Sequence, residues 1–99
     1  MNLLWFFVLA ATVLASATTG LAGSAEPPAG AMACSGCHPV GSGVETSVPR
    51  LASRKAEEIV AQMRAFRSGQ RGATVMDRIA KGYSDAEVET IAEWYEAQQ

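Results

Sequence analysis

Cys34-Ser35-Gly36-Cys37-His38 contains both cysteines and the single histidine of the chain. C-x-x-C-H is the attachment signature of c-type haem: two thiols add across the porphyrin vinyl groups, and the adjacent imidazole is left facing the iron. C-x-x-C spacing also suits thiol–disulfide exchange or half of a zinc site. Exchange chemistry of the thioredoxin type wants a βαβ setting, and no alternating strand pattern is visible here. Zinc wants about four nitrogen and sulfur ligands, whereas this chain offers two cysteines and one histidine, crowded together. His38 read as an ordinary surface histidine leaves its placement directly after Cys37 unexplained. The chemistry of these five residues is therefore covalent capture of one haem, with His38 as the proximal iron ligand.

The opposite iron face needs a second ligand, and no second histidine exists. A methionine thioether is the candidate, since His/Met ligation raises the potential of electron-transferring haem. Of the four methionines, Met1 lies in a leader segment. Met32 is within a turn or two of the cysteines, on the proximal side. Met63 falls on an apolar helical stripe, where methionine commonly serves as core packing. Met76 lies in a broken stretch, residues 72–82, far enough downstream to cross the distal face, and is assigned as the ligand; the alternative is an open or water-ligated iron. On the proximal side, a backbone carbonyl is wanted to accept the free ring N–H of His38. Pro49, with its fixed φ, is suited to hold one still, although a plain loop proline is an equal reading.

The elements that position these residues read as helices. Residues 31–37 form a short helix, stopped by Pro39, and residues 40–49 a loop. Ser53 is the expected N-cap for a helix reaching Ser68, with Ala56, Ile59, Val60, Met63 and Phe66 at helical spacing and Gly69 as its stop. A short helical piece lies around residues 77–81. Ser84 and Glu87 form a capping box for the last helix, whose Val88, Ile91, Ala92 and Tyr95 fall at i, i+3, i+4 and i+7. The fold class is all-α.

Residues 1–25 are a different kind of segment. The run Leu3-Leu4-Trp5-Phe6-Phe7-Val8-Leu9-Ala10-Ala11 continues through Val13 and Leu14 with no charged side chain before Glu26. It reads as the apolar region of a secretory signal peptide, with small-x-small sites at Ala15-Ser16-Ala17 and Gly23-Ser24-Ala25. No lysine or arginine precedes the run, and the rival reading is an uncleaved membrane anchor. Cleavage after Ala25 leaves residues 26–99 as one small domain, of a size that usually needs a staple. A covalent haem is such a staple. Its attachment outside the cytoplasm agrees with export, and the expected compartment is a bacterial periplasm.

Together, the segments Cys34-Ser35-Gly36-Cys37-His38, Val48-Pro49-Arg50-Leu51, Met63-Arg64-Ala65-Phe66-Arg67-Ser68-Gly69 and Thr74-Val75-Met76-Asp77-Arg78-Ile79-Ala80-Lys81-Gly82-Tyr83-Ser84 resemble class I cytochrome c. Within that class they are most similar to the haem subunit of flavocytochrome c sulfide dehydrogenase and to cytochrome c4/c553 domains. The resemblance implies a small class I cytochrome c fold wrapped around one haem c. It implies Cys34 and Cys37 as covalent attachment points and His38 and Met76 as axial ligands. It further implies that Pro49 is the partner of His38, and that Leu51, Met63, Ile79 and Tyr83 line or approach the haem. The implied partners are an FAD-containing sulfide dehydrogenase flavoprotein subunit as electron donor, and a soluble c-type cytochrome or other carrier as acceptor. The alternatives are a free periplasmic carrier and, from another class, an open-iron haem catalyst or sensor.

A formal net charge of -2, with no basic face interleaved with aromatics, gives no support to nucleic-acid binding. The charges are nonetheless segregated. Arg50, Arg54, Lys55, Arg64, Arg67, Arg71, Arg78 and Lys81 fill the middle of the chain, while Asp85, Glu87, Glu89, Glu93 and Glu96 load the last helix. They read as solvated helix faces or, alternatively, as arginines beside Met76 that steer a partner.

Overall fold

The computed structural model describes residues 26–98, and among these residues there are four helices and no strand. They are α1 (Ala31–Ser35), α2 (Ala56–Ser68), α3 (Met76–Ala80) and α4 (Asp85–Glu96). No described helix is long and apolar enough to cross a membrane. The leader segment and its two small-x-small sites lie outside the described residues.

α4 follows from its first four residues. The Ser84 hydroxyl accepts from the Glu87 backbone N–H at 3.2 Å, and the Glu87 carboxylate accepts from the Ser84 N–H at 2.7 Å. This satisfies two donors that a bare helix start leaves orphaned. The Ser84 hydrogen bonds also hold the Glu87 carboxyl below its usual range. Asp85 and Glu87 occupy the positive end of the helix dipole. Val88, Ile91, Ala92 and Tyr95 form the buried stripe, as their spacing predicts.

α2 begins differently from its sequence expectation. Its N-cap is Lys55, not Ser53, and no side chain of the capping residue bonds the first turn. The Glu96 carboxylate at the end of α4 instead accepts the Ala56 N–H at 2.8 Å and lies 3.8 Å from the Lys55 ammonium. Ser53 is in the left-handed region (φ 65°); its N–H donates to Tyr95 O at 3.1 Å and its hydroxyl to Gln98 O at 2.8 Å. It thus ties the chain to the end of α4. Gly69 closes α2 as expected, in the left-handed conformation. The helical piece around Met76 runs Met76–Ala80, one residue earlier than its expected span.

α2 packs on both α3 and α4, and α1 packs on α4. The buried side chains are Ala31, Ala52, Ile59, Ala80, Val88, Ile91, Ala92 and Tyr95. Half of these are alanines. Tyr95 is fully buried, its hydroxyl donates to Ala31 O at 2.6 Å, and its ring meets Trp94 edge-on with centroids 4.9 Å apart. Gly30, which leads into α1, has φ 88°, and a Cβ there would lie 3.0 Å from the Tyr83 ring and 3.1 Å from Ile91. The positive φ favours glycine, and a Cβ would also press on both side chains.

Tyr95→Phe is expected to lower stability by about 1–2 kcal/mol through loss of one buried hydrogen bond, measured by denaturant melts at neutral pH. Burial pushes the Tyr95 phenol up to about 12 from 10.0. Its contribution is therefore complete below pH 10 and declines as the unfolded chain ionises first, between pH 10 and about 12. The difference between wild type and Tyr95→Phe should shrink across that window. Gly30→Ala, strained by its positive φ, should cost at least about 1 kcal/mol in the same assay.

Candidate functional site

α1 is little more than one turn, and its last turn continues as a tight wrap that shapes the cysteine pair. Gly36 N–H donates to Ala33 O at 3.4 Å, and both Cys37 N–H (3.2 Å) and His38 N–H (2.8 Å) donate to Cys34 O. The loop between the cysteines is thereby closed by backbone bonds, and the Ser35 hydroxyl adds a bond to Met32 O at 2.7 Å. Cys34 and Cys37 are unpaired thiols, half-buried and exposed respectively. Burial pushes the Cys34 thiol up, whereas exchange-active cysteines have depressed values. Among the described residues, no group of three or more His, Cys, Asp and Glu side chains gathers to hold a metal ion, as a zinc cage requires.

His38 Nδ1 lies 2.6 Å from the Pro49 carbonyl oxygen. A carbonyl only accepts, so Nδ1 carries the proton and donates, and Nε2 keeps a free lone pair for a metal. The Pro49 carbonyl is steadied in turn. The Arg50 guanidinium reaches back to Val40 O from Nε (3.3 Å) and Nη2 (2.8 Å), and Arg54 Nε donates to Arg50 O at 2.6 Å. The two ends of the loop over residues 40–49 are thus pinned together beside the imidazole.

The remaining expected site residues fall into two groups. Cys34, Leu51 and Tyr83 pack against the buried cluster while staying only half-buried. Met63 and Met76 are half-buried and Ile79 is 39% exposed, so none of these three is drawn into the core. Met63 is on α2, and Met76 and Ile79 are on α3, which packs against it. Val75 is also left 49% exposed. Such incomplete burial of Leu, Met, Ile and Tyr fits a large, flat apolar group: haem would give these side chains the cover that a core built half of alanine does not. The thiols of Cys34 and Cys37 and the Nε2 of His38 supply the donor chemistry that haem c needs. The residues present fit the group.

Two arginines that matter to this site escaped the sequence reading as site residues. Arg50 acts on the His38 loop and Arg67 on the segment carrying Met76, each through backbone carbonyls more than nine residues away in the chain. No local pattern announces such bonds; the charge on the edge of α2 was the sole available sign for Arg67.

No protein-family model matches the chain. Among curated proteins it is 34% identical over 64 residues to the cytochrome subunit of sulfide dehydrogenase from Chlorobaculum tepidum, covering 65% of this chain and 58% of the relative. It is 41% identical over 66 residues to the thiosulfate dehydrogenase electron acceptor from Stutzerimonas stutzeri, covering 63% and 31%. Against cytochrome c-554(548) from Halomonas halodenitrificans it is 33% identical over 70 residues, covering 67% of this chain and 84% of the relative. The chain therefore spans about half, or less, of the first two relatives' length and most of the third. The all-helical domain has the class I cytochrome c fold, its single C-x-x-C-H motif corresponds to one covalent haem c, and its role is that of a monohaem electron carrier. With a match that runs over most of the Halomonas protein's length, the chain belongs to the c-type cytochromes.

Proposed function

We propose that this cytochrome is the electron-transfer subunit of a sulfide dehydrogenase, taking electrons one at a time from the FAD of a flavoprotein subunit and passing them to a soluble acceptor. The observation that carries this reading is the likeness to the Chlorobaculum cytochrome subunit. Bound haem supplies a one-electron Fe(III)/Fe(II) couple. The chain's residues hold that couple and set its potential. Cys34 and Cys37 would anchor the porphyrin edge through thioethers. His38 would hold the iron through Nε2, while Nδ1–H on Pro49 O keeps the ring oriented and Nε2 basic. Met76 would hold the iron through its thioether, a ligand that raises the potential. Leu51, Met63, Ile79 and Tyr83 exclude water from the ring. With His38 and Met76 both holding the iron, substrate chemistry would belong to the partner, and the reading as an open-iron catalyst or sensor would fall away. Residues 1–25 direct export and are removed, leaving residues 26–99 as the haem domain in the periplasm.

A free carrier is the second reading, favoured by the cover of most of cytochrome c-554(548). Purification from the native periplasm separates the two: flavin co-eluting with haem is the expected result, and a haem-replete monomer eluting alone establishes the free carrier. Met76→Ala should abolish the weak long-wavelength band of thioether-ligated ferric haem. It should also lower the potential by tenths of a volt, within the ~0.8 V span that axial ligands control, measured by redox titration. An unchanged spectrum refutes Met76 as ligand.

A further inference from the structure

We propose that Arg67 is a positioning residue for the Met76 thioether; the inference rests on Met76 as the second axial ligand. α3 has five residues and begins at Met76 itself. A helix this short has no stability of its own, so its position is set by whatever fastens it. On the upstream side, Arg71 N–H donates to Ala65 O at 3.1 Å; its guanidinium bonds the Gln62 side chain and lies 4.8 Å from the centre of the Phe66 ring. The chain just before α3 is thus held to α2.

Downstream the fastening is Arg67. Its side chain is 31% exposed and reaches three acceptors at once: Ala80 O from Nε (3.3 Å), Tyr83 O from Nη2 (2.8 Å) and Asp85 Oδ1 from Nη1 (2.6 Å). Ala80 is the last residue of α3 and fully buried. The fork therefore binds the carboxyl end of α3, the turn after it and the first residue of α4 to the last turn of α2. Met76 hangs between the two arginines, about 6 Å along the helix from Ala80 at 1.5 Å per residue. Movement of Ala80 carries Met76 with it. A planar guanidinium serves three acceptors set apart in this way; a lysine ammonium is a point charge and cannot span them.

The test uses the holoprotein and reads the long-wavelength ferric band, the reduction potential and the rate at which carbon monoxide binds the reduced iron. Arg67→Met is expected to weaken or remove the band, lower the potential and speed carbon monoxide binding about tenfold or more. Arg67→Lys should show the same defects in weaker form, and it is the variant to read if Arg67→Met does not accumulate. Two controls leave the carbonyl bonds in place. Asp85→Asn removes the charge of the exposed pairs with Arg64 and Arg67 while keeping an acceptor oxygen, and Arg64→Met removes the contacts to Asp85 and Glu89 on the same helix pair. Both should retain wild-type band, potential and carbon monoxide kinetics. A wild-type spectrum and potential in Arg67→Lys or Arg67→Met, or equal defects in Asp85→Asn, overturn the proposal. Met76→Ala keeps the two readings apart: if it leaves the band unchanged, the ligand assignment fails, whereas loss of the band there with retention in the Arg67 variants refutes Arg67 alone.

Discussion

The buried hydroxyl of Tyr95, 2.6 Å from the carbonyl oxygen of Ala31, is the interaction on which the rest of the arrangement hangs. It joins α4 to α1, and α1 runs directly into the cysteine pair. Around it, Ile59, Ile91 and Ala92 complete the buried cluster. The Tyr95 backbone carbonyl also receives Ser53 N–H at 3.1 Å, so one residue organises both the entry to the haem motif and the entry to α2. A core this small has little spare apolar area, and a single polar tie inside it counts for more than it would in a larger domain.

From that anchor the site is assembled by side chains that bond backbone carbonyls. His38 is aimed by Pro49 O, the loop behind it is held by Val40 O, and the chain after α3 is held by Ala80 O and Tyr83 O. Backbone acceptors suit a redox centre, since they orient without adding formal charge beside the iron. The arginines that use them, Arg50 and Arg67, are themselves half-buried. The potential can then be governed by axial ligation and burial, the levers available to a haem protein.

Much of this was legible because it is local. Five consecutive residues specify covalent haem attachment, Ser84 and Glu87 announce the start of α4, and the spacing of Val88, Ile91, Ala92 and Tyr95 identifies its buried face. Ser53 shows where local reading stops. A serine three residues ahead of a helix is a reasonable cap, yet the first turn of α2 is served by Glu96 from forty positions away, and Ser53 is recruited by the end of α4. Tyr95 was recognisable as an apolar-stripe residue, but not as a donor to Ala31. Arg50 and Arg67 were visible only as charges. In each case the missing information is a tertiary partner, which no window of neighbouring residues contains.

The contact between α1 and α4 has a topological consequence. Because the Tyr95 side chain near the end of α4 reaches Ala31 at the start of α1, the entry and the exit of the described helical domain lie close together. Such a unit can be repeated along one polypeptide with a short connection, each copy keeping its own helices and its own prosthetic group. Successive centres would then stand at a separation dictated by the linker rather than by diffusion. A fold built to hold one haem is, by the placement of its ends, also a module from which an electron wire can be strung.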